Sequence, residues 1–190
     1  DTYYIDAAGD RVTETLTGGV DLVHASATHT LGGYVDNLTL EGIANLNGTG
    51  NALNNVMTGN AGNNQLRGVV GNDTLDGGAG RDVLTGGAGA DVFKFSAATA
   101  YIGAPDTVAD FSTRLGDSID ISDLLTGYDP LSATLGEFVD FRTVGRTTQL
   151  WVDADGSGTG AEFVQIATLN KVTNLTDEDA AVASHFLKIG

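Results

Sequence analysis

The chain has 190 residues, of which 27 are glycine, and a formal net charge of −16 at pH 7. This excess of acid repels a phosphate backbone, so the composition excludes nucleic acid as a partner. Cysteine is absent, which excludes disulfides and thiolate metal sites, and no apolar run has the length of a membrane-spanning segment.

Residues 1–49 are predicted to be rich in strands. Four segments alternate apolar with polar or threonine residues, as half-buried strands do, and glycines separate them. They read TYYI, RVTETL, VDLVHASATHTL and VDNLTL. We interpret this part as wide coils that lead into the regular repeat that follows. Asp21, after Gly18-Gly19, is either a plain turn residue or part of a degenerate repeat.

Residues 50–94 repeat with a period of nine. Each of five units has glycine in the first place, Asn or Asp in the sixth and a large apolar residue in the eighth. The first places are Gly50, Gly59, Gly68, Gly77 and Gly86; the sixth are Asn55, Asn64, Asp73, Asp82 and Asp91; the eighth are Met57, Leu66, Leu75, Leu84 and Phe93. A fixed period of this kind is typical of a repeat architecture.

Each unit predicts a six-residue turn followed by a very short strand, whose middle side chain points inward. Two units form one coil of eighteen residues, so turns eighteen residues apart stack on the same side. The turn that ends at Asp73 is expected beside the turn that ends at Asp91, and Asn64 beside Asp82. The sequence therefore predicts an all-β fold, a parallel β-roll or β-solenoid.

Stacked turns place carboxylates and backbone carbonyls around points between the coils. Oxygen ligands in a flexible cage suit Ca²⁺ better than Mg²⁺ or Zn²⁺, and we predict several calcium ions. The best site pairs Asp73 with Asp91, the second pairs Asn64 with Asp82, and a site pairing Asn55 with Asp73 is the weakest because asparagine has no charge. The predicted ligands are the side chains of Asn64, Asp73, Asp82 and Asp91, with Gly59, Ala61, Gly68, Val70, Gly71, Gly77, Ala79, Gly80, Gly86, Ala88 and Gly89 around them.

Two other interpretations of this stretch were weighed. Glycine and asparagine are typical of flexible linkers, but a linker does not keep an apolar residue at every ninth place. A metal-free solenoid held by asparagine ladders is the second alternative. The aspartates argue against it, because stacked carboxylates repel one another unless a cation lies between them.

The nonapeptide pattern ends after residue 94. Phe93, Phe95 and Phe111 are predicted to cover the open end of the roll. Asp110 and Asp117 are predicted to hold a further calcium ion near this cap. The alternative is that the acids here serve turns and a short helix start at Ser122-Asp123.

Residues 135–170 predict a hairpin, in which QLWVDA and EFVQIATL are joined by DGSGTG. Asp153 and Asp155 resemble the start of an EF-hand loop, but Val164 stands where the bidentate Glu belongs. We therefore favour a plain hairpin loop and leave its calcium binding open. Residues 171–190 predict a short terminal helix.

The units GGAGRDVLT and GGAGADVFK match the pattern G-G-x-G-x-D-x-U-x at every place. Together with DTVADFSTRLGDSIDISDLL and LWVDADGSGTGAEFVQIATL they resemble the C-terminal part of RTX proteins, over about residues 40–190. The resemblance implies a right-handed β-roll with Ca²⁺ between its coils. With the coils inferred above, the chain then divides into irregular coils (1–49), nonapeptide roll (50–94) and cap with secretion target region (95–190). It also implies export by a type I ABC transporter of a Gram-negative bacterium. The chain would then be extracellular or on the cell surface, as in adhesins, serralysin proteases, lipases and alginate epimerases.

The favoured function is a calcium-binding module that folds outside the cell and carries the secretion signal for an N-terminal cargo domain of a larger protein. HExxH and GxSxG motifs are absent, and so is any cysteine to pair with histidine, so no catalytic residue is predicted. The alternative is an auxiliary module that binds polysaccharide or a cell surface, through Tyr3, Tyr4, Tyr34 and Trp151.

Overall fold

The computed structural model describes residues 1–96, 105–125, 135–154, 156, 163–172, 175 and 186–189. Within these ranges the regular structure is sixteen short strands and one 3-10 helix, Leu135–Glu137. No helix among them has both the length and the apolar composition needed to cross a membrane. The fold is all-β, as the sequence predicts.

The first of two sheets is parallel throughout. Its strands, in spatial order, are β1 (Thr2–Ile5), β2 (Leu22–Ala25), β4 (Asn37–Leu40), β6 (Val56–Thr58), β8 (Thr74–Asp76), β10 (Val92–Lys94), β12 (Ser118–Asp120) and β16 (Leu187–Lys188). The nonapeptide strands and the strands on either side of them thus belong to one continuous sheet.

The second sheet is parallel from β3 to β15 and then antiparallel. Its order is β13 (Val139–Val144), β14 (Thr147–Val152), β15 (Val164–Asn170), β11 (Asp106–Val108), β9 (Val83–Ala88), β7 (Gln65–Val70), β5 (Asn47–Thr49) and β3 (His29–Thr30). Strands of the two sheets alternate along the repeat, so the chain winds from one sheet to the other as a parallel β-solenoid.

The register confirms a coil of eighteen residues within the repeat. Val56 lies beside Thr74, and Thr74 lies beside Val92, in the first sheet. Gln65 lies beside Val83 in the second. The eighth-place side chains line up in the core between the two sheets and are at most 1 % exposed: Met57, Leu66, Leu75, Leu84 and Phe93. Burying such a side chain is worth roughly 1.5–3 kcal/mol, so this row provides much of the stability of the roll.

The structure corrects the expectation that the aromatic residues cover an open end. The two sheets continue past residue 94 through β11 and β12, with coils lengthened by the residues between them. Phe93 and Phe95 are fully buried, and the ring of Phe111 lies 6.1 Å from that of Phe93 and 6.3 Å from that of Phe186. These rings extend the core of the solenoid.

Two predicted elements differ from the structure. RVTETL, residues 11–16, forms no strand; the second sheet ends at β3, and only Val12 of this segment is buried. No helix starts at Ser122, where the chain makes a turn closed by a hydrogen bond from the N–H of Leu124 to the carbonyl of Ile121 (2.9 Å). The predicted terminal helix lies mostly outside the described residues.

The predicted hairpin is confirmed. β14 and β15 are antiparallel, with Trp151 opposite Gln165. β13 pairs with β14 as a further antiparallel strand, across the turn at Gly145. The sequence pattern did not predict this strand.

Candidate metal centre

The turns of the repeat form two stacks, one on each side of the solenoid. Residues 50–55, 68–73 and 86–91 stack on one side, and residues 59–64 and 77–82 on the other. Backbone hydrogen bonds tie successive turns together; the N–H of Val92, for example, donates to the carbonyl of Asp73 (2.7 Å). The predicted neighbours Asp73 and Asp91 therefore lie side by side.

One oxygen of each sixth-place carboxylate binds the backbone of the preceding turn. Oδ1 of Asp73 accepts the N–H of Asn55 (2.8 Å), and Oδ1 of Asp91 accepts the N–H of Asp73 (2.9 Å). On the other side, Oδ1 of Asp82 accepts the N–H of Asn64 (2.7 Å). These bonds fix the carboxylates in two rows that run along the solenoid axis.

The other oxygen of these carboxylates is buried without a partner. Oδ2 of Asp73, Asp82 and Asp91 has no hydrogen bond within the described part of the chain, and the three residues are at most 1 % exposed. A buried charged oxygen without a donor costs several kcal/mol unless a counter-charge binds it. The free oxygens on each side of the solenoid therefore fit cations bound between the turns.

The first-place glycines let oxygens approach the backbone closely. A Cβ on Gly68 would overlap Oδ2 of Asp73 and lie 2.7 Å from the carbonyl oxygen of Gly86. Since one oxygen overlaps this point and the other lies 2.7 Å from it, the two oxygens are less than about 5 Å apart. Two ligands of one Ca²⁺ at 2.3–2.6 Å lie up to about 5 Å apart, so an oxygen pair of this kind fits a calcium ion.

The same arrangement occurs at the two units before it. A Cβ on Gly59 would lie 2.5 Å from Oδ1 of Asn64 and overlap the carbonyl of Gly77, and a Cβ on Gly50 would meet Asn55 and Gly68 in the same way. At Gly77 the neighbouring oxygen is Oδ2 of Asp82. The sixth-place side chain thus faces the glycine of its own turn in every unit.

The remaining predicted backbone ligands lie in the facing turns. The carbonyls of Gly62 and Gly71 point at the bare Cα atoms of Gly80 and Gly89 one coil on. Third-place residues take part in the ladder: the carbonyl of Ala88 accepts the N–H of Gly71 (2.9 Å). In three of the other four units the third-place residues are Ala61, Val70 and Ala79, and the N–H groups of all three donate to the preceding coil.

The carboxylate rows continue beyond the nonapeptides. Oδ1 of Asp106 accepts the N–H of Asp82 (2.8 Å), and Oδ1 of Asp117 accepts the N–H of Asp91 (3.1 Å). Asp106 was missed by the sequence reading, although Asp106-Thr107-Val108 and Asp117-Ser118-Ile119 both keep the D-x-U spacing of the repeat. Oδ2 of Asp106 is also buried without a partner in the described ranges.

Asp110 does not belong to either carboxylate row. Its two oxygens accept the N–H groups of Gly86 (3.0 Å) and Gly87 (2.9 Å), at the start of the last nonapeptide turn. Oδ2 of Asp117 accepts the N–H of Ser112 (2.8 Å). These hydrogen bonds hold the backbone of turns, and each carboxylate oxygen keeps a further lone pair for a cation.

Burial raises the pKa of these carboxylates. The pKa of Asp73 and that of Asp82 rise to about 6, and the pKa of Asp106 rises to about 8, because desolvation disfavours the charged form. Backbone hydrogen bonds oppose the rise, and neighbouring acids add to it. Desolvation also raises the pKa of Asp91, and that of Asp117 to about 6. Without a cation, burial therefore shifts the balance of these side chains toward the protonated form.

At the N-terminal end of the repeat, side-chain amides bind each turn to the coil before it; we call such a contact between successive turns a junction. Nδ2 of Asn51 donates to the carbonyls of Gly32 (2.6 Å) and Val35 (2.7 Å). Nδ2 of Asn60 donates to those of Glu41 (3.0 Å) and Ala44 (3.0 Å). Later units have Val69, Gly78 and Gly87 at this second place, so no amide is available to their facing carbonyls.

An asparagine ladder is present as well. Oδ1 of Asn54 accepts the N–H of Asn72 (2.7 Å), whose own Oδ1 accepts the N–H of Ala90 (2.9 Å). Asn45, Asn63 and Arg81 form the same row on the other side. These fifth-place ladders run beside the carboxylate rows, so an asparagine ladder does not exclude cations between the coils.

The loop that resembles an EF-hand start lies largely outside the described residues. Asp153 is buried, its N–H donates to the carbonyl of Phe138 (2.8 Å), and its Oδ1 accepts the N–H of Gly156 (3.3 Å). These are contacts of a turn, and Asp155 is among the residues not described.

The sequence and the structure were compared with known proteins. The profile of the RTX calcium-binding nonapeptide repeat (4 copies) matches residues 49–78 and 67–94. No curated protein sequence matches the chain. Among solved structures, the solution structure of the AlgE6R3 subunit from the Azotobacter vinelandii mannuronan C5-epimerase is 29 % identical, with 85 % of this chain and 82 % of that chain covered and a TM-score of 0.48.

The matched residues, 49–94, are therefore RTX calcium-binding repeats, and the chain contains an RTX repeat module. Modules of this type bind Ca²⁺, are not themselves catalytic and are typical of extracellular proteins.

Proposed function

We propose that this chain is a calcium-dependent folding module of a larger secreted protein. The observation that carries the proposal is that the Oδ2 atoms of Asp73, Asp82 and Asp91, in two rows, are buried without a partner, each beside the first-place glycine of its turn. An ion at each position neutralises the carboxylates and binds two turns at once. Calcium binding and the ordering of the solenoid are then one process.

The energetics favour a switch between two calcium concentrations. Sites of extracellular modules have Kd values of roughly 10⁻⁴–10⁻³ M, so they are empty at cytosolic calcium levels. An ion present at ten times its Kd stabilises the folded state by about 1.4 kcal/mol. Several sites together thus supply a few kcal/mol, which is a large part of the stability of a small domain.

The unfolded state also contributes to this mechanism. With a net charge of −16, the chain repels itself, and its many glycines lose much conformational freedom on ordering. Inside the cell it stays extended and can pass through a narrow channel. Outside, calcium binding folds it and prevents its return.

We further propose that residues 95–190 carry a type I secretion signal that an ABC transporter of a Gram-negative bacterium recognises, and that the cargo lies N-terminal in the same protein. The resemblance of the DF…GDSIDISDLL segment and the hairpin to RTX secretion targets supports this. Co-expression with such a transporter should export residues 1–190 but retain residues 1–94. Equal export of both would place the signal elsewhere.

Circular dichroism during a calcium titration tests the folding switch. A cooperative change from coil to β structure is expected near millimolar Ca²⁺ but not with Mg²⁺. Replacing Asp73, Asp82 and Asp91 together by Asn should leave the chain unfolded at millimolar Ca²⁺. The control with the same change in charge, Asp6→Asn, Asp10→Asn and Glu137→Gln at exposed positions, should fold like the wild type. A chain that is fully folded in chelator at neutral pH would refute the proposal.

Polysaccharide binding is a second candidate function. A cavity of about 760 Å³ lies at the N-terminal end of the second sheet, where Arg11, His29 and Tyr34 are among its lining residues. Trp151 is on β14, at the other end of that sheet, so the four aromatic residues named from the sequence do not form one surface. Tyr34→Ala should weaken retention on a neutral glycan column and leave calcium-induced folding unchanged. Unchanged retention would remove this candidate.

A further inference from the structure

We propose that the chain binds an additional calcium ion outside its nonapeptide repeats, through Asp1, Glu14 and Asp21. The ligand oxygens of these three carboxylates lie within 4.8 Å of one another. The site belongs to the first coil, far from residues 50–94 in sequence, and its existence is independent of whether those residues drive folding.

The backbone places two of these acids in the same row as the repeat sites. Asp1 directly precedes β1 and Asp21 directly precedes β2, and the N–H of Leu22 donates to the carbonyl of Asp1 (2.9 Å). The N–H of Asp21 donates to Oδ2 of Asp36 (2.8 Å), as the sixth-place N–H groups of the repeat do to the next carboxylate. Asp21 therefore has the ladder position of Asp73.

Asp21 also has the same unpartnered oxygen. Its side chain is 0 % exposed, and Oδ2 has no hydrogen bond in the described part of the structure. Its Oδ1 accepts a hydrogen bond from the backbone nitrogen of Asp1 (2.9 Å). A fully buried carboxylate oxygen without a donor indicates a bound cation, since its desolvation is otherwise uncompensated.

The unpartnered oxygen of Asp21 lies with two other oxygens beside Gly18. A Cβ on Gly18 would lie 2.7 Å from Oε2 of Glu14, 3.2 Å from the carbonyl of Thr15 and 3.3 Å from Oδ2 of Asp21. Three oxygens from three residues thus surround one point, whereas two oxygens from two residues do so beside Gly68. The second oxygen of Glu14 accepts the hydroxyl of Tyr3, and Oε2 also accepts the N–H of Thr15 (3.2 Å).

The charge and the ligand type favour Ca²⁺. Three carboxylates give the cluster a charge of −3 when ionised, which a divalent cation largely balances. Carboxylates and a carbonyl on a turn form a flexible oxygen cage, which suits Ca²⁺ better than Mg²⁺, and without nitrogen or sulfur it does not suit Zn²⁺.

Terbium luminescence tests this site separately from the repeats. Tb³⁺ replaces Ca²⁺ in oxygen sites, and a tyrosine in contact with the site sensitises its emission. Tyr3 contacts Glu14, whereas residues 50–94 contain no Tyr or Trp. Excitation of tyrosine in the full chain should therefore give Tb³⁺ emission from the first coil, and added Ca²⁺ should quench it by displacement.

Two ligand variants and two controls complete the experiment. Glu14→Gln and Asp21→Asn should each weaken the apparent Tb³⁺ affinity at least tenfold, while Tyr3→Phe should abolish the sensitised emission. Glu41→Gln, the same change on a neighbouring coil where the carboxylate contacts His24, should bind Tb³⁺ as the wild type does. Circular dichroism in Ca²⁺ checks that each variant folds; Glu14 lies in a partly exposed turn, so its variant is the decisive one. Wild-type emission in Glu14→Gln or in Tyr3→Phe would overturn the proposal, as would an equal loss in Glu41→Gln.

Discussion

At the scale of single residues, Val69 is strained by its place in the repeat. It stands at the second place of its unit, where it has a φ of +90°, close to the +82° and +105° of Gly78 and Gly87 at the same place. A β-branched residue with such a φ costs of order 1–3 kcal/mol. The repeat geometry thus imposes a glycine conformation on a valine.

Val69→Gly is therefore expected to stabilise the calcium-bound chain by about 1 kcal/mol, since relief of strain exceeds the entropy cost of an added glycine. Urea unfolding in saturating Ca²⁺ measures the change. The neighbouring Val70→Gly is the matched control, because Val70 has an ordinary φ, and it should lose about 0.5–1 kcal/mol. A loss of stability in Val69→Gly would show that the valine side chain contributes more than its backbone costs.

The first-place glycines have a separate role, because without a side chain they let the carboxylates lie close to the backbone. Gly68→Ala places a methyl group against Oδ2 of Asp73 and should raise the calcium midpoint of folding several-fold. Gly33→Ala is the control, since nothing lies within 4 Å of its added Cβ, and it should leave the midpoint unchanged. Equal midpoints for the two variants would mean that no ion lies beside Gly68.

At the scale of the elements, the two kinds of turn differ in how they join to the turn before them. In residues 50–55 and 59–64, the amides of Asn51 and Asn60 donate to carbonyls of the preceding coil. In residues 77–82 and 86–91, the same places are bare glycines. We expect the first junctions to form without calcium and the later ones to need it.

Asn60→Ala tests this difference. It leaves the carbonyls of Glu41 and Ala44 without their donor and should cost about 1–3 kcal/mol of stability even in saturating Ca²⁺, with no change in the number of bound ions. Asn54→Ala, which loses one exposed ladder bond, should cost under about 1 kcal/mol. Chemical denaturation and calcium-binding stoichiometry report the two effects separately. A variant that lost a bound ion instead would place a cation at the Asn60 junction.

Sequence reasoning predicts the elements that a strict period controls. The burial of the eighth-place side chains and the stacking of Asp73 on Asp91 follow from the nine-residue period alone. The role of Asn51 depends on which carbonyls the preceding turn presents, and no spacing within one unit gives that. Asp106 follows an insertion that breaks the period, and RVTETL alternates like a strand but has no strand to pair with. Local pattern is therefore insufficient wherever the coil changes length or the sheet ends.

At the scale of the whole molecule, protons and calcium compete for the same buried carboxylates. Burial raises the folded-state pKa of Asp73 and that of Asp82 to about 6 and that of Asp106 to about 8, whereas an unfolded Asp has a pKa near 3.9. Their contribution to stability without calcium is therefore complete below about pH 4 and is lost as pH rises through 6 and then 8. Acid also reduces the self-repulsion that accompanies the net charge of −16.

We therefore expect the chain in chelator to be more folded at pH 5 than at pH 8, and the calcium concentration needed for folding to fall as pH rises from 5 to 8, because ligands must lose their protons to bind the ion. Circular dichroism in chelator across this range, followed by calcium titrations at several pH values, measures both trends. Asp106→Asn separates the site effect from general repulsion: it removes the carboxylate with the highest of the three pKa values and should flatten the loss of structure between pH 7 and 8. Glu137→Gln, which removes one exposed charge, should keep the wild-type slope. If both variants lose structure with the same slope, the pH dependence comes from net charge, and the buried rows do not control calcium-dependent folding.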